Sequence, residues 1–292
     1  MATYTTYDQV GKKESVADII TDITPFDTPA FTMFKDEKVS ARTFSWLEDS
    51  LASAGSNAAV EGADAVMGTL IDAVERTNNT QILTKGFQVS ATADAIATYG
   101  RAKETAHQLA KALKEIKRDA EFALVGADQA AVSGSSSVAR KMASVINQIS
   151  TDENNATPAA LTEAMVLSAG ETAYNNGSDV DTLMIKPGDA QIVAGFSASA
   201  GRNREIAQGK TLVNAIDLYV SPYGEYRVVL NRHMKADTAL LIDPTMFKTC
   251  TLRPFTRTLL AKNGDSDRHQ IVGEMSVKHM NFADSVKITG LT

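Results

Sequence analysis

The clearest periodicity in the chain runs from Arg101 to Val125. Ala102, Ala106, Leu109, Leu113, Ile116, Ala120 and Ala123 recur at a 4-3-4-3 spacing, which puts them on one apolar stripe of an α-helix. Gly100 and Gly126 bracket the stretch. At about 1.5 Å per residue the helix is about 40 Å long. A compact globule of this length has a radius of gyration of about 19 Å, so the helix nearly spans it. Lys111 with Glu115, and Lys117 with Glu121, stand four apart as opposite charges, in the less favourable order. The small stripe residues favour packing on a sheet or a neighbouring helix, and about three heptads is short for a coiled coil.

Downstream, Thr157-Pro158 reads as an N-cap and first-turn pair. Leu161, Met165, Ala169 and Thr172 line one side of that helix, and Asn175-Asn176-Gly177 stops it. Thr182–Lys186 reads as a strand ended by Pro187, and Asp189–Ala198 as a second helix. Ser199–Lys210 is a loop. Leu212–Val220 and Tyr226–Leu230 form a hairpin around Ser221-Pro222-Tyr223-Gly224-Glu225. Towards the end, Thr238–Ile242, Met246–Leu252 and Phe255–Ala261 are short strand-like runs. In Ile271–His279 the apolar Ile271, Met275 and Val277 alternate with Glu274, Ser276 and Lys278, the pattern of a half-buried strand. His269 and His279 share the apolar parity and read as packed histidines.

The first part of the chain is different. Residues Met1–Phe34 are turn-rich, with Pro25 and Pro29 four apart, and read as an arm with a short helix over Glu14–Ile23. From Thr43 to Glu75 there is no Lys or Arg, while Glu48, Asp49, Glu61, Asp64, Asp72 and Glu75 fall in the same window. Its middle, residues 52–59, is small and polar, and Thr77–Gln88 alternates loosely like a strand. A long acidic excursion with strand-like ends suggests an extended hairpin loop that reaches away from the body. Loops of this length are usually functional or disordered.

The 292 residues are 43% hydrophobic and 22% charged, which excludes wholesale disorder. Length alone suggests one or two domains. Aromatics are 6%, with Trp46 the single tryptophan; plentiful alanine favours close-packed helices and shared surfaces. Twenty-nine basic against 35 acidic residues leave a net charge of −6, against a protein that grips nucleic acid through a basic face. One cysteine, Cys250, forbids an internal disulfide and fits a reducing cytoplasm. There is no secretory start and no apolar run near the roughly 18–20 residues of a membrane helix. The sequons at Asn78 and Asn155 read as accidental.

Catalytic signals are missing. The chain has no G-x-G-x-x-G, no phosphate-binding G-x-x-x-x-G-K-[ST], no G-x-S-x-G and no H-E-x-x-H. His107, His233, His269 and His279 are scattered. No catalytic residue, cofactor or metal site is expected, and an enzyme is disfavoured.

Several segments resemble the major capsid proteins of tailed bacteriophages, in the podovirus-like family of major heads with the Hong-Kong-97-like capsid fold. They are Tyr4–Gly11, Ile20–Phe34 with Asp27-Thr28-Pro29, Trp46–Leu51, Asn57–Asp64, Arg76–Asn79, Val89–Thr92, Lys114–Asp119, Leu252–Phe255, Lys262–Asp265 and Gly273-Glu274. Their order and spread cover nearly the whole chain, apart from Ala127–Asn155. The resemblance implies an α+β fold: an N-terminal arm at 1–34, an extended E-loop at 35–90, a P-domain with its spine helix at 91–156, an A-domain at 157–237, and C-terminal strands at 238–292 that return to the P-domain. It implies a shell subunit that self-assembles into hexamers and pentamers and encloses double-stranded DNA without sequence-specific binding. The place of such a protein is the virion, after synthesis in the host bacterial cytoplasm. Portal, scaffolding and decoration proteins are further candidate partners, and no membrane is involved. Any scaffolding segment is a separate protein or already removed.

A filament or sheath subunit of flagellin type is the alternative. It would favour long terminal helices with heptads, which neither Met1–Phe34 nor Asn263–Thr292 shows. On the capsid reading, Glu48, Asp49, Glu61, Asp64, Asp72 and Glu75 meet a neighbouring subunit's basic residues, among them Arg253, Arg257 and Arg268. Arg202, Arg204 and Lys210 then converge near a local symmetry axis. The stripe residue Leu113 is expected to be buried.

Overall fold

A computed structural model describes residues 27–62, 64, 67, 68, 70, 72–96, 103–199, 218–262 and 264–292. Most of the expected arm, with its helix at 14–23, and the loop bearing Arg202, Arg204 and Lys210 lie outside the described residues.

The chain enters through a one-turn helix, α1 (Pro29–Met33), and a short strand, β1 (Lys35–Lys38). Two further strands, β2 (Thr43–Glu48) and β3 (Val74–Asn79), pair antiparallel, and β4 (Gln81–Ser90) follows at once. A short helix, α2 (Ala91–Ala95), leads to the long helix α3 (Glu104–Glu121), which ends in a wide turn over Phe122–Gly126. The next elements are α4 (Val145–Gln148), β5 (Thr151–Ala159), α5 (Glu163–Asn175), β6 (Thr182–Ile185) and α6 (Ala190–Ser199). The hairpin β7 (Leu218–Ser221) and β8 (Gly224–Leu230) is followed by β9 (Thr238–Ile242), β10 (Phe247–Leu260), β11 (Ser266–His279) and β12 (Val286–Leu291).

These strands make two larger sheets. One has four strands in the order β1-β10-β11-β4; the other has six in the order β5-β12-β9-β6-β8-β7. The six-stranded sheet explains why β6 and β9 are apolar throughout rather than alternating. Met184, Leu240 and Ile242 point into one core, shared with Ala112, Ile116 and Ala120 of α3 and with Phe247, Ile271 and Val277. Leu183, Ile185, Ala239 and Leu241 point the other way, into a second core closed by Val166 and Ala169 of α5 and Val193 and Phe196 of α6. A strand covered on both faces loses its period-two pattern because both parities are buried.

The long helix lies over the four-stranded sheet, where Lys85 of β4 reaches Glu115 at 3.2 Å and Asp119 at 3.5 Å. Its buried positions are Ala112, Ile116 and Ala120, followed by Ala123 and Leu124. Leu113 is 41% exposed, so the expected stripe is rotated by one residue at its centre. Alanine at 112 lets the helix axis approach the strands, and the bulkier leucine is turned aside. The expected Lys117–Glu121 pair is also replaced. Glu121 is buried and faces inward, whereas Lys111 does lie 4.0 Å from Glu115.

Other boundaries move for identifiable reasons. Thr157-Pro158 does not start a helix. It lies in β5, which pairs only with β12 at the sheet edge, where a missing proline N–H is tolerated. The helix starts instead after Thr162, whose hydroxyl accepts from the Met165 amide at 3.3 Å. Gly177, at φ +80°, follows its end as expected. The two runs expected at 246–252 and 255–261 are one strand, β10, whose pairing with β11 is irregular around Arg253. Strands β9 and β12 join the six-stranded sheet, as does β5, so residues 238–292 serve both sheets. Strands β1 and β4, within the expected 35–90 excursion, belong to the four-stranded sheet.

Candidate assembly surface

The excursion begins where the β2–β3 ladder ends, at Glu48 opposite Val74. Its root is held by polar side chains inside the protein. Asn78, 1% exposed, donates to the Val277 carbonyl at 2.7 Å and accepts from the Ala143 amide at 2.8 Å. The Asn79 carbonyl accepts from the Ser276 hydroxyl at 2.8 Å, and the Thr80 hydroxyl donates to Glu274 at 2.7 Å. Glu274 also takes Arg140 and, at 3.0 Å, Arg253. A buried carboxylate with two guanidinium partners and a hydroxyl is fully engaged, and such satisfaction is what makes a buried charge tolerable. The sequon at Asn78 is therefore inaccessible to a glycan.

Beyond the root, every described residue from Asp49 to Glu75 is exposed. Four large apolar side chains stand almost entirely in solvent: Leu51 at 98%, Val60 at 81%, Met67 at 88% and Leu70 at 96%. Single exposed apolar residues are ordinary, but four on one projecting arm without a counterpart on their own body are not. Sequence reasoning missed them because it followed charge. The available signal was large aliphatic residues isolated within a small polar stretch.

The acidic residues divide. Asp49, Glu61, Asp64, Asp72 and Glu75 are exposed on the excursion. Glu48, half-buried at the root, is engaged within its own subunit. Its carboxylate takes the Arg76 guanidinium at 2.5 Å and the Phe282 amide at 3.1 Å. Arg76 lies one residue past the cation-free window, and the β-ladder brings it back opposite Trp46, near Glu48.

The basic residues on the long strands are partly committed at home. Arg253 is bound to Glu274. Arg257 donates to His269 Nδ1 at 3.3 Å, and burial together with that guanidinium pushes the His269 pKa down. Arg268 is exposed on β11. His269 packs on Phe87 at 5.0 Å and His279 on Phe247 at 4.1 Å, so both are packing residues as expected. Beside β1, a groove of about 580 Å³ is lined by Phe31, Val39, Leu252, Phe255 and Met275, with Arg253 and Lys38 also on its wall. Among the described residues, no cluster of His, Cys, Asp and Glu could hold a metal ion, and no helix is long and apolar enough to cross a membrane.

An arm rooted by buried polar groups, with apolar and acidic side chains offered to solvent, is built for contact with another molecule. Comparison with known proteins shows the family and the fold. The family model described as SU10 major capsid protein matches residues 2–292. The major capsid protein of Escherichia phage Phieco32 is 31% identical over a 339-position alignment, covering 98% of this chain and 96% of that protein. A structure from Gordonia phage Cozz superposes with a TM-score of 0.68 at 9% identity, covering 97% of this chain and 92% of that one. The Cyanophage A-1(L) capsid asymmetric unit gives 0.68 at 11% identity and 98% coverage of both chains. These structures establish the Hong-Kong-97-like α+β capsid fold. The chain belongs to the SU10 major capsid protein family and is a structural subunit of a phage capsid shell.

Proposed function

We propose that this subunit forms hexamers and pentamers of an icosahedral shell around double-stranded DNA, and that its β2–β3 excursion is the E-loop that lies across an adjacent subunit. On this reading the four-stranded sheet with α3 is the P-domain and the six-stranded sheet is the A-domain. The loop expected at Ser199–Lys210, with Arg202, Arg204 and Lys210, is on this reading the axial loop; its residues beyond Ser199 lie outside the described ones. Synthesis takes place in the host bacterial cytoplasm, which the single thiol suits. A net charge of −6 gives no general attraction for DNA, so a genome can move along the wall without sequence-specific contacts.

The observation that carries the reading is the exposure of Leu51, Val60, Met67 and Leu70. Burying such a side chain contributes about 1.5–3 kcal/mol, whereas an exposed ion pair contributes about 0.2–1 kcal/mol. Apolar contact therefore supplies most of the affinity, while Glu61, Asp64, Asp72 and Glu75 set register and association rate. The groove beside β1 offers apolar walls, Phe31, Val39, Leu252, Phe255 and Met275, to such an arm, while its charges, Lys38 and Arg253 against Asp36 and Glu37, balance.

Electron microscopy of the purified chain and of a Leu51→Ser/Leu70→Ser variant tests this. Closed shells from the parent, with folded but unassembled variant subunits, are expected. Fibres from the parent would support a filament subunit instead, and normal shells from the variant would remove the arm from the contact.

A further inference from the structure

The root of the excursion is gripped a second time, by the turn that joins β11 to β12. Phe282 sits at the centre of that turn. Its amide donates to Glu48 Oε1 at 3.1 Å, while the other Glu48 oxygen takes Arg76 at 2.5 Å. The same Arg76 guanidinium lies 4.5 Å above the Phe282 ring, within the distance at which a cation is drawn to a ring face. Trp46 of β2 packs at 6.1 Å from that ring, and Lys278 lies 5.8 Å from the Trp46 ring. One phenylalanine thus touches both strands of the hairpin, at the last rungs before the chain projects into solvent.

The turn itself is held from several directions. The Phe282 carbonyl accepts from the Ser150 amide at 3.0 Å and from its hydroxyl at 2.8 Å. The Ala283 carbonyl accepts from Asn176, at the end of α5, at 2.9 Å. His279, stacked on Phe282 at 5.6 Å, meets the buried Asp284 at 2.6 Å. Because β11 belongs to the four-stranded sheet and β12 to the six-stranded sheet, the turn is also a covalent link between the two sheets.

We infer that Phe282 is a positioning residue for the excursion: with Glu48 and Arg76 it forms a clasp that sets the angle at which the hairpin leaves the body, and ties that angle to the junction of the two sheets. The buried Asn78–Thr80 root fixes where the hairpin starts. A two-stranded ribbon anchored only there could still swing, because an isolated hairpin has little stiffness of its own. The clasp acts two to four rungs further out, at Trp46 opposite Arg76 and at Glu48, and removes that freedom. Its consequence for shell curvature rests on the proposed role of the excursion; its effect on the hairpin angle does not.

The test is a distance measurement between spin labels on dispersed full-length subunits. One label is placed at Val74→Cys, exposed on the last rung of the hairpin, and one at Lys117→Cys on α3. The native Cys250 is buried, and burial pushes its pKa up to about 12, so it is not labelled. The parent is expected to give one narrow distance distribution. Phe282→Ala and Arg76→Leu are expected to broaden and shift it, and Phe282→Tyr to restore it. Hydrogen exchange should rise in residues 43–48 and 74–79 while β6 and β9 stay protected, which separates loss of the clasp from global unfolding. Should Phe282→Ala not fold, Arg76→Leu decides alone, since it leaves the turn intact. An unchanged distribution in folded Arg76→Leu protein overturns the clasp. In assembly, the variants are expected to give particles of mixed size where the parent gives one. A parent that forms no shells while the distances respond would sink the proposed function and leave the clasp standing.

Discussion

At Glu121, three donors meet a carboxylate that water does not reach. The Ala30 amide donates at 2.9 Å, the Phe31 amide at 2.8 Å and the Asn231 side chain at 2.6 Å. The carboxylate thereby caps α1 and ties the point where the arm enters the body to the end of α3. Burial raises its pKa above the ordinary 4.5, and the three hydrogen bonds offset only part of that. For a carboxyl whose folded pKa is raised, the folded state binds the proton more tightly. Its stabilising share is complete below pH 4.5 and is lost as pH rises through the folded value. Urea unfolding of dispersed subunits should therefore show parent stability falling over that window, and Glu121→Gln should flatten the fall. Glu121→Ala leaves the donors unpaired and is expected to lose roughly 3 kcal/mol at pH 7. None of this was legible in the sequence, where Glu121 stands four residues after Lys117 and reads as half of a surface ion pair. Only the fold shows that it faces inward.

Among the elements, α3 was the most legible and still shifted by one position. Its length and amphipathic character follow from spacing, but the choice between Ala112 and Leu113 as the inward residue depends on how closely β4 and β11 approach, which no helical period encodes. Leu113→Asp is accordingly expected to change the stability of the free subunit by only about 0.5 kcal/mol, as an exposed substitution. Ile116→Ala should cost about 2–5 kcal/mol, because Ile116 is fully buried. Chemical denaturation of both variants checks the phase, and equal losses would mean the helix is rotated from this placement. The strand β12 escaped notice because its Val286, Ile288 and Leu291 are too few to stand out, and its register is set by β9 and β5 on either side. Conversely, β9 was found at its true bounds, Thr238–Ile242, because a five-residue run between turn signals has few other readings.

For the whole molecule, the question is whether charge or apolar contact closes the shell. Exposed pairs are screened over about 8 Å at physiological salt, while apolar burial is not weakened by added salt. Glu61→Lys with Asp64→Lys should slow assembly most at low ionic strength, and adding Arg257→Glu should restore part of the rate if those charges meet across subunits. Leu51→Ser with Leu70→Ser should block closure at every salt concentration. Light scattering against salt separates the two effects. A charge-reversed chain that assembles at the parent rate throughout would leave the acidic residues as solvated surface only.

The sequence by itself determined the long helix, the acidic arm, several buried strands and, through dispersed short segments, the resemblance to phage major capsid proteins. These are local or statistical properties: periodicity, a run without cations, and residues in a fixed order. What only the tertiary structure decided are meetings between distant residues. Glu48 joins Phe282 across 234 positions, Asn78 joins Val277 across 199, and Ala30 joins Glu121 across 91. It also decided that β5, β9 and β12 share one sheet, and that four aliphatic side chains on the arm have no partner on their own body. The physical reason is that a side chain's burial and pairing depend on which surfaces the fold brings against it. Local spacing fixes the face of an element on which a residue lies, but not what that face will meet.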